Sequence, residues 1–203
     1  TGSFVTVIGS NGAGKSTLLG VLAGDVLPTA GKVVIGSTDV TRQPTAQRAG
    51  QVARVFQDPL AGSCGALSIE ENLALAASRG QARGLAPALG KGRREFFRER
   101  IASLNLGLEN RLKDRMDLLS GGQRQAVSLV MATLAGSDVL LLDEPSNDLD
   151  IDTLIFLESF IRDSSIPIIF ISHDEMLISS CANVIIHIEQ LIRKTRCSIT
   201  VSR

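Results

Sequence analysis

The feature that most constrains this chain is an octapeptide, Gly9-Ser10-Asn11-Gly12-Ala13-Gly14-Lys15-Ser16, which fits the pattern G-x-x-x-x-G-K-[ST]. Before it runs a short, largely β-branched strand candidate, Phe4-Val5-Thr6-Val7-Ile8. After it, Ser16 to Ala23 carries Leu18, Leu19 and Leu22 at helical spacing. A strand feeding a glycine-rich turn that opens a helix is the context phosphate binding needs. Glycines let the backbone wrap an anion without Cβ clashes, so successive N–H groups point at phosphate oxygens. The helix adds the positive end of its dipole. Gly9 to Gly14, with Thr17, are therefore expected to cradle a nucleotide. Lys15 is placed to reach the β- and γ-phosphates of ATP, and Ser16 to hold Mg²⁺ through its hydroxyl.

A phosphate cradle needs a second element to supply the remaining metal ligand and a group that activates water. Val139-Leu140-Leu141-Leu142-Asp143-Glu144 meets that need. Its apolar residues bury a strand and bring two acids out at the carboxyl end, where open α/β sheets bind ligands. Asp143 is expected to bind Mg²⁺, directly or through water, and Glu144 to polarise a water in line with the γ-phosphate. Two acids after a strand are ordinarily a solvated strand end. The phosphate loop in the same chain favours the functional reading.

Lys32 to Ile35 and Gln51 to Phe56 are further short strand candidates. From about Ile69 to Gly136 the period turns helical, over Glu70–Ser78, Arg93–Leu104 and Gly122–Leu134. Between the first two, Arg79 to Gly92 is rich in glycine and alanine and reads as a mobile surface loop. Strands return at Val139–Leu142, Ile166–Ile171, Val184–Ile188 and Ser198–Ser202, with a helix over Ile151–Arg162. Strand–helix–strand units at both ends of a helical stretch predict an α/β core with a mainly parallel sheet. The division expected is a core of residues 1–57 and 138–203 with an inserted helical subdomain at 58–137.

Composition narrows the function classes. Lys and Arg total 21 and Asp and Glu total 21, a net charge of zero. That argues against a nucleic-acid binder working through bulk charge, and no direct DNA binding is expected. A hydrophobic share of 44% with 21% charged residues excludes disorder as the main state. The core must be aliphatic, because there is no Trp, no Tyr and only 7 Phe. Cys64, Cys181 and Cys197 match no zinc or redox spacing and read as reduced thiols. No window approaches the ~18 consecutive apolar residues of a membrane span. The chain opens Thr1-Gly2-Ser3 and runs straight into a buried strand, so residues are expected to be missing upstream.

Leu119-Ser120-Gly121-Gly122-Gln123 adds a further motif at the start of a helix. A serine and two glycines there form a second anion cradle, built from a hydroxyl and backbone N–H groups. With the phosphate loop upstream and the LLLDE strand downstream, the chain resembles the nucleotide-binding cassette of ABC ATPases over essentially its whole length. The resemblance implies a RecA-like phosphate-loop core carrying a helical signature subdomain. It implies that Gln57, in Val55-Phe56-Gln57-Asp58, touches Mg²⁺ and the attacking water. It implies that Asp150 belongs to a loop crossing to a partner cassette, and that His173 is a switch residue near the γ-phosphate. Two cradles in one chain cannot both reach one γ-phosphate. A head-to-tail pair is therefore expected, with Ser120, Gly121, Gly122 and Gln123 of one subunit over the phosphate loop of the other.

Two departures from the family stand out. The family normally has two or three strands before its phosphate loop and an aromatic that stacks on adenine; here that region is absent, and only a Phe could serve. Through about Ala135 the chain resembles importer-type cassettes, whereas Glu144 to the end resembles the F subfamily, which acts on ribosomes. A recombined chain with a seam between about Ala132 and Pro145 is the expectation. The importer reading implies a transmembrane permease partner docked on Phe56 to Ile69 and the helical insert, and a cytoplasmic location against the inner face of the membrane. The ribosome is the alternative partner. Other polar residues carry less: His187 reads as a satisfied sheet histidine. Arg93, Arg94, Arg98 and Arg100, interleaved with Glu95 and Glu99, read as a solvated helix face. Arg193, Lys194 and Arg196 are a thin basis for an RNA contact.

Overall fold

The computed structural model describes residues 3–81, 89–147, 149–191 and 194–201. In chain order, β1 (Phe4–Gly9) leads through the glycine-rich loop into α1 (Lys15–Ala23), followed by a hairpin of β2 (Val34–Ile35) and β3 (Thr38–Asp39). A short α2 (Thr45–Arg48) precedes β4 (Val52–Val55). The insert holds α3 (Ile69–Ala77), α4 (Lys91–Ala102), two 3₁₀ turns and α5 (Gly121–Thr133). The chain then alternates through β5 (Val139–Asp143), α6 (Ile151–Arg162), β6 (Ile168–Ile171) and α7 (Glu175–Cys181), and closes with β7 (Val184–Leu191) and β8 (Lys194–Val201).

The main sheet runs β4-β5-β6-β1-β7-β8; its first five strands are parallel and only β8 is antiparallel. This bears out the mainly parallel α/β core. Its central strands β5 and β6 read as apolar runs, Val139–Leu142 and Ile168–Ile171, because both faces are covered. Alternation along β5 shows it: Leu140 and Leu142 point into a cluster with Leu157, Ile161 and Phe170, while Leu141 points the other way, to Leu19, Val7 and Ile171.

The insert has an aliphatic cluster of its own around Ile69, Leu73, Phe97, Ile101 and Met116. Helix α5 joins it to the sheet, giving Val127, Val130 and Met131 to the insert and Leu129 and Ala132 to the sheet cluster. Ser68 starts α3 with a reciprocal capping box: its hydroxyl accepts from Glu71 N–H while its own N–H donates to the Glu71 carboxylate. Buried Asn72 pins the preceding loop, accepting from Cys64 N–H at 2.8 Å and donating to Cys64 O at 3.0 Å.

Most expected elements are present, with ends moved by one to four residues; the largest changes follow hydrogen bonding rather than side-chain pattern. Lys32 to Ile35 shrinks to Val34–Ile35, since only these residues find a partner in β3. The last strand runs Lys194–Val201 because it pairs along the whole of β7. Helix α4 begins at Lys91, inside the expected loop, whose residues 82–88 lie outside the described residues, as do Arg193 and Ser202. The arginine face of α4 is only partly solvated: Arg94 Nε lies 3.1 Å from the buried carboxylate of Glu70 on α3. His187 sits 3.6 Å from Glu189, half exposed. Cys64 and Cys181 are free thiols.

Arg48 was invisible in the pattern yet holds the amino-terminal part together. Its fully buried guanidinium donates to Val21 O and Leu22 O at the end of α1, at 2.6 and 2.9 Å, and to Val40 O and Thr41 O after β3. It thus caps a helix end and ties the hairpin to it. Arg48→Met takes a donor from all four carbonyls and leaves Val21 O and Val40 O only the N–H groups of Gly24 and Gln43; unfolding in urea should show a loss of about 2–4 kcal/mol, with a shifted midpoint at unchanged slope.

Candidate functional site

The site begins where β1 stops. Gly9 pairs with Ile188 of β7, and a Cβ on Gly9 would lie 2.3 Å from Ile188 O. Only glycine lets the strand run that close and turn at once into the loop. Lys15, in the first turn of α1 and 8% exposed, folds back across the loop, its ammonium donating to Gly9 O at 2.7 Å and Ser10 O at 3.2 Å.

The carboxyl ends of the neighbouring strands complete a cleft of about 460 Å³. Asn11, Gly12, Gly14, Lys15, Ser16 and Thr17 line one side. Gln57 beyond β4, Asp143 and Glu144 at the end of β5, and His173 beyond β6 line the other. The strands bring these residues together at one level: Val55 is level with Leu142, Asp143 with Ile171, and Ile171 with Val7. A groove of about 1630 Å³, between β4, the loop after it, α3 and α5, is larger but gathers no carboxylates. Chemistry, not size, marks the smaller cleft.

Glu144 is held in a strained conformation. Its φ is +46°, and its N–H donates to Ile171 O at 3.0 Å. Such a backbone costs about 1–3 kcal/mol and persists where packing over-determines it. One carboxylate oxygen lies 3.1 Å from His173 Nε2; the other is buried with no hydrogen-bond partner. Asp143 accepts from Arg54 Nη2 at 3.3 Å, and Arg54 Nη1 donates to Asp25 at 2.7 Å.

The residues fit a nucleotide with Mg²⁺. Among the described residues no group of three or more acidic, His or Cys side chains could enclose a metal alone. That donor set, the Ser16 hydroxyl, Gln57 and Asp143, suits Mg²⁺, which binds through few protein oxygens and completes its shell with phosphates and water. The partnerless Glu144 oxygen calls for a proton donor such as water.

The LSGGQ residues lie elsewhere. Ser120 caps α5 through a second reciprocal box, its hydroxyl oxygen accepting from Gln123 N–H and its N–H donating to the Gln123 side chain, both at 3.2 Å. Gly121 faces open space, whereas a Cβ on Gly122 would meet Thr153 Oγ1 at 2.8 Å and Asp150 Oδ2 at 3.4 Å. Asp150 caps α6 and is thereby brought next to the LSGGQ residues. Thr153 faces its carboxyl with hydroxyl and N–H and holds its pKa below the usual aspartate value; only the N–H, at 2.8 Å, has hydrogen-bond geometry. None of Ser120, Gly121, Gly122, Gln123 or Asp150 lines the phosphate cleft. Sequence reasoning missed Asn147, which lines it, and Arg54, whose signal was a cation in the middle of an apolar strand.

The ABC transporter family model matches residues 1–147. The chain belongs to the ABC transporter family. This cassette is 36% identical over 177 residues to the tyrosine transport ATP-binding protein of Clostridioides difficile, covering 85% of this chain and 70% of that one. It is 36% identical over 192 residues to the thiamine import ATP-binding protein ThiQ of a Chelativorans species, covering 91% and 72%. Alignments of that length necessarily cross residues 132–145, where the seam was expected. Among solved structures it resembles a dimeric post-hydrolysis state of the ATP-binding cassette MJ0796 bound to ADP and Pi, with a TM-score of 0.78, 25% identity, and 96% and 84% of the two chains covered. Among the described residues no helix is long and apolar enough to cross a membrane.

The contrast between the two LSGGQ glycines is testable. Gly122→Ala must push Thr153 aside and should lower stability by about 1–2 kcal/mol in urea unfolding. Gly121→Ala, which meets nothing, should unfold with the parent.

Proposed function

We propose that this cassette binds ATP with Mg²⁺ and hydrolyses it between two copies paired head to tail, driving an importer. The observation that carries the reading is Glu144: strained, at the end of β5, lining the cleft of the phosphate loop, with one carboxylate oxygen on His173 and the other buried and unpartnered. In this mechanism the Glu144 carboxylate takes the proton of a water attacking the γ-phosphorus, as the bond to the ADP oxygen breaks and ADP and phosphate form. His173 orients that carboxylate. Lys15 leaves the Gly9 and Ser10 carbonyls for the phosphate oxygens and offsets the charge developing there. Ser16, Gln57 and Asp143 would hold Mg²⁺, which supplies charge neutralisation of the phosphates.

The second cradle supports pairing. The Ser120 oxygen accepts within its own helix cap, so its proton is left to donate outward, and Gly121 is open beside it. The MJ0796 structure is dimeric and holds ADP and Pi. The transport and import names of the relatives support a permease partner, met by Phe56 to Ile69 and the 58–137 insert, and a site on the inner face of the membrane. The ribosome reading gains nothing from them.

Lys15→Ala should weaken ATP binding and lower turnover by roughly 10²–10³, the usual loss for one donor to a developing anion. Calorimetry and phosphate release measure the two; an unaltered variant would remove the phosphate-loop assignment. Glu144→Gln should lower hydrolysis by roughly 10²–10⁴ while ATP binding survives. Light scattering in Mg-ATP should then show a doubled mass, because the closed pair accumulates. Parent-rate hydrolysis would place the base elsewhere, and a persistently monomeric variant would count against the head-to-tail pair.

A further inference from the structure

One charged group beside the cleft has no part in this chemistry. Arg54 stands in the apolar run Val52-Ala53-Arg54-Val55, its side chain 17% exposed. Its guanidinium forks between Asp25 Oδ2 at 2.7 Å and Asp143 Oδ2 at 3.3 Å. Phe56 covers it, the ring centroid 4.6 Å from the guanidinium carbon. Its Nε is buried without a partner. Burying a cation with one donor unsatisfied is costly, and an aliphatic side chain would suit this strand better. What the position supplies is a fixed positive charge on the carboxylate that would take Mg²⁺.

We propose that Arg54 is a positioning residue, a resident counter-cation for Asp143 tethered by Asp25, which sets how strongly the cassette depends on Mg²⁺ for nucleotide binding. The inference rests on the ATP and Mg²⁺ site proposed above. Asp143 and Glu144 place two carboxylates beside the phosphate loop, and a polyphosphate arriving without metal is repelled by both. Arg54 offsets one of them. The same charge makes Asp143 a weaker ligand, because a second cation must share its oxygens with the guanidinium. Asp25 holds the nearer end of the fork, so it keeps Arg54 from closing on Asp143 as a bidentate pair.

The test uses the full chain with Mn²⁺ as a paramagnetic probe, titrated in the presence of ADP, and separately measures ATP binding in EDTA. Arg54→Met should tighten Mn²⁺ and weaken metal-free ATP binding, each by roughly three- to tenfold. Asp25→Asn should act the opposite way on Mn²⁺ and weaken it, because the guanidinium then serves Asp143 alone. Opposed shifts are the signature of a local charge; a loosened strand would weaken both ligands in both variants. If Arg54→Met leaves Mn²⁺ affinity unchanged or lower, or Asp25→Asn raises it, the inference is overturned while the ATP site stands. If the parent binds no Mn²⁺ with ADP, the proposed site falls and this inference with it.

Discussion

Everything at the site depends on one register. Strand β1 pairs in parallel with β6 and β7, and β6 with β5, so that Val7, Ile171 and Asp143 stand at one level. From that level the phosphate loop, Glu144 and Ser172-His173 all leave the sheet in the same direction. A shift of one residue would turn Asp143 to the opposite face and bury its carboxylate among the aliphatic side chains that cover the sheet. The pairing is fixed by packing on two faces, and at its end by Gly9, where Ile188 O leaves no room for a Cβ. The apolar strands and the polar loop are thus one device: the first decides where the second begins.

Charge is arranged in layers around that device. Lys15 lies across its own loop, held by backbone carbonyls, so its ammonium is kept beside the proposed phosphate position with partners it can exchange. Two carboxylates face it from β5, one strained and half-satisfied, the other steadied by a cation from β4. Strain and an unsatisfied oxygen lower stability in the isolated chain, and they collect where the proposed reaction would use them. The same economy shows at the LSGGQ residues. Ser120 and Asp150 cap α5 and α6 through oxygens that accept hydrogen bonds, which joins the proposed partner-facing surface to the stability of two helices.

Much of this could be read from residue order. The phosphate loop, the apolar strand ending in Asp143-Glu144 and the helix after LSGGQ each announce themselves locally, because backbone geometry and burial leave a period and a composition that survive in one dimension. Helix ends, short hairpin strands and α7 were less legible. They depend on partners: Val34–Ile35 is a strand only because β3 lies beside it, and β8 reaches Lys194 only because β7 continues to Leu191.

The sequence by itself determined the proposed chemistry, since glycines, a lysine and paired acids in that spacing are what binding of phosphate and Mg²⁺ would require. Tertiary structure alone decided which residues meet. Arg54 reaches Asp25 and Asp143 from distant parts of the chain, Arg48 reaches the end of α1, and Gly122 presses on Thr153 beside Asp150. No local period records such contacts, because their free energy arises from burial and charge brought together by the fold, and sequence neighbours have no share in it.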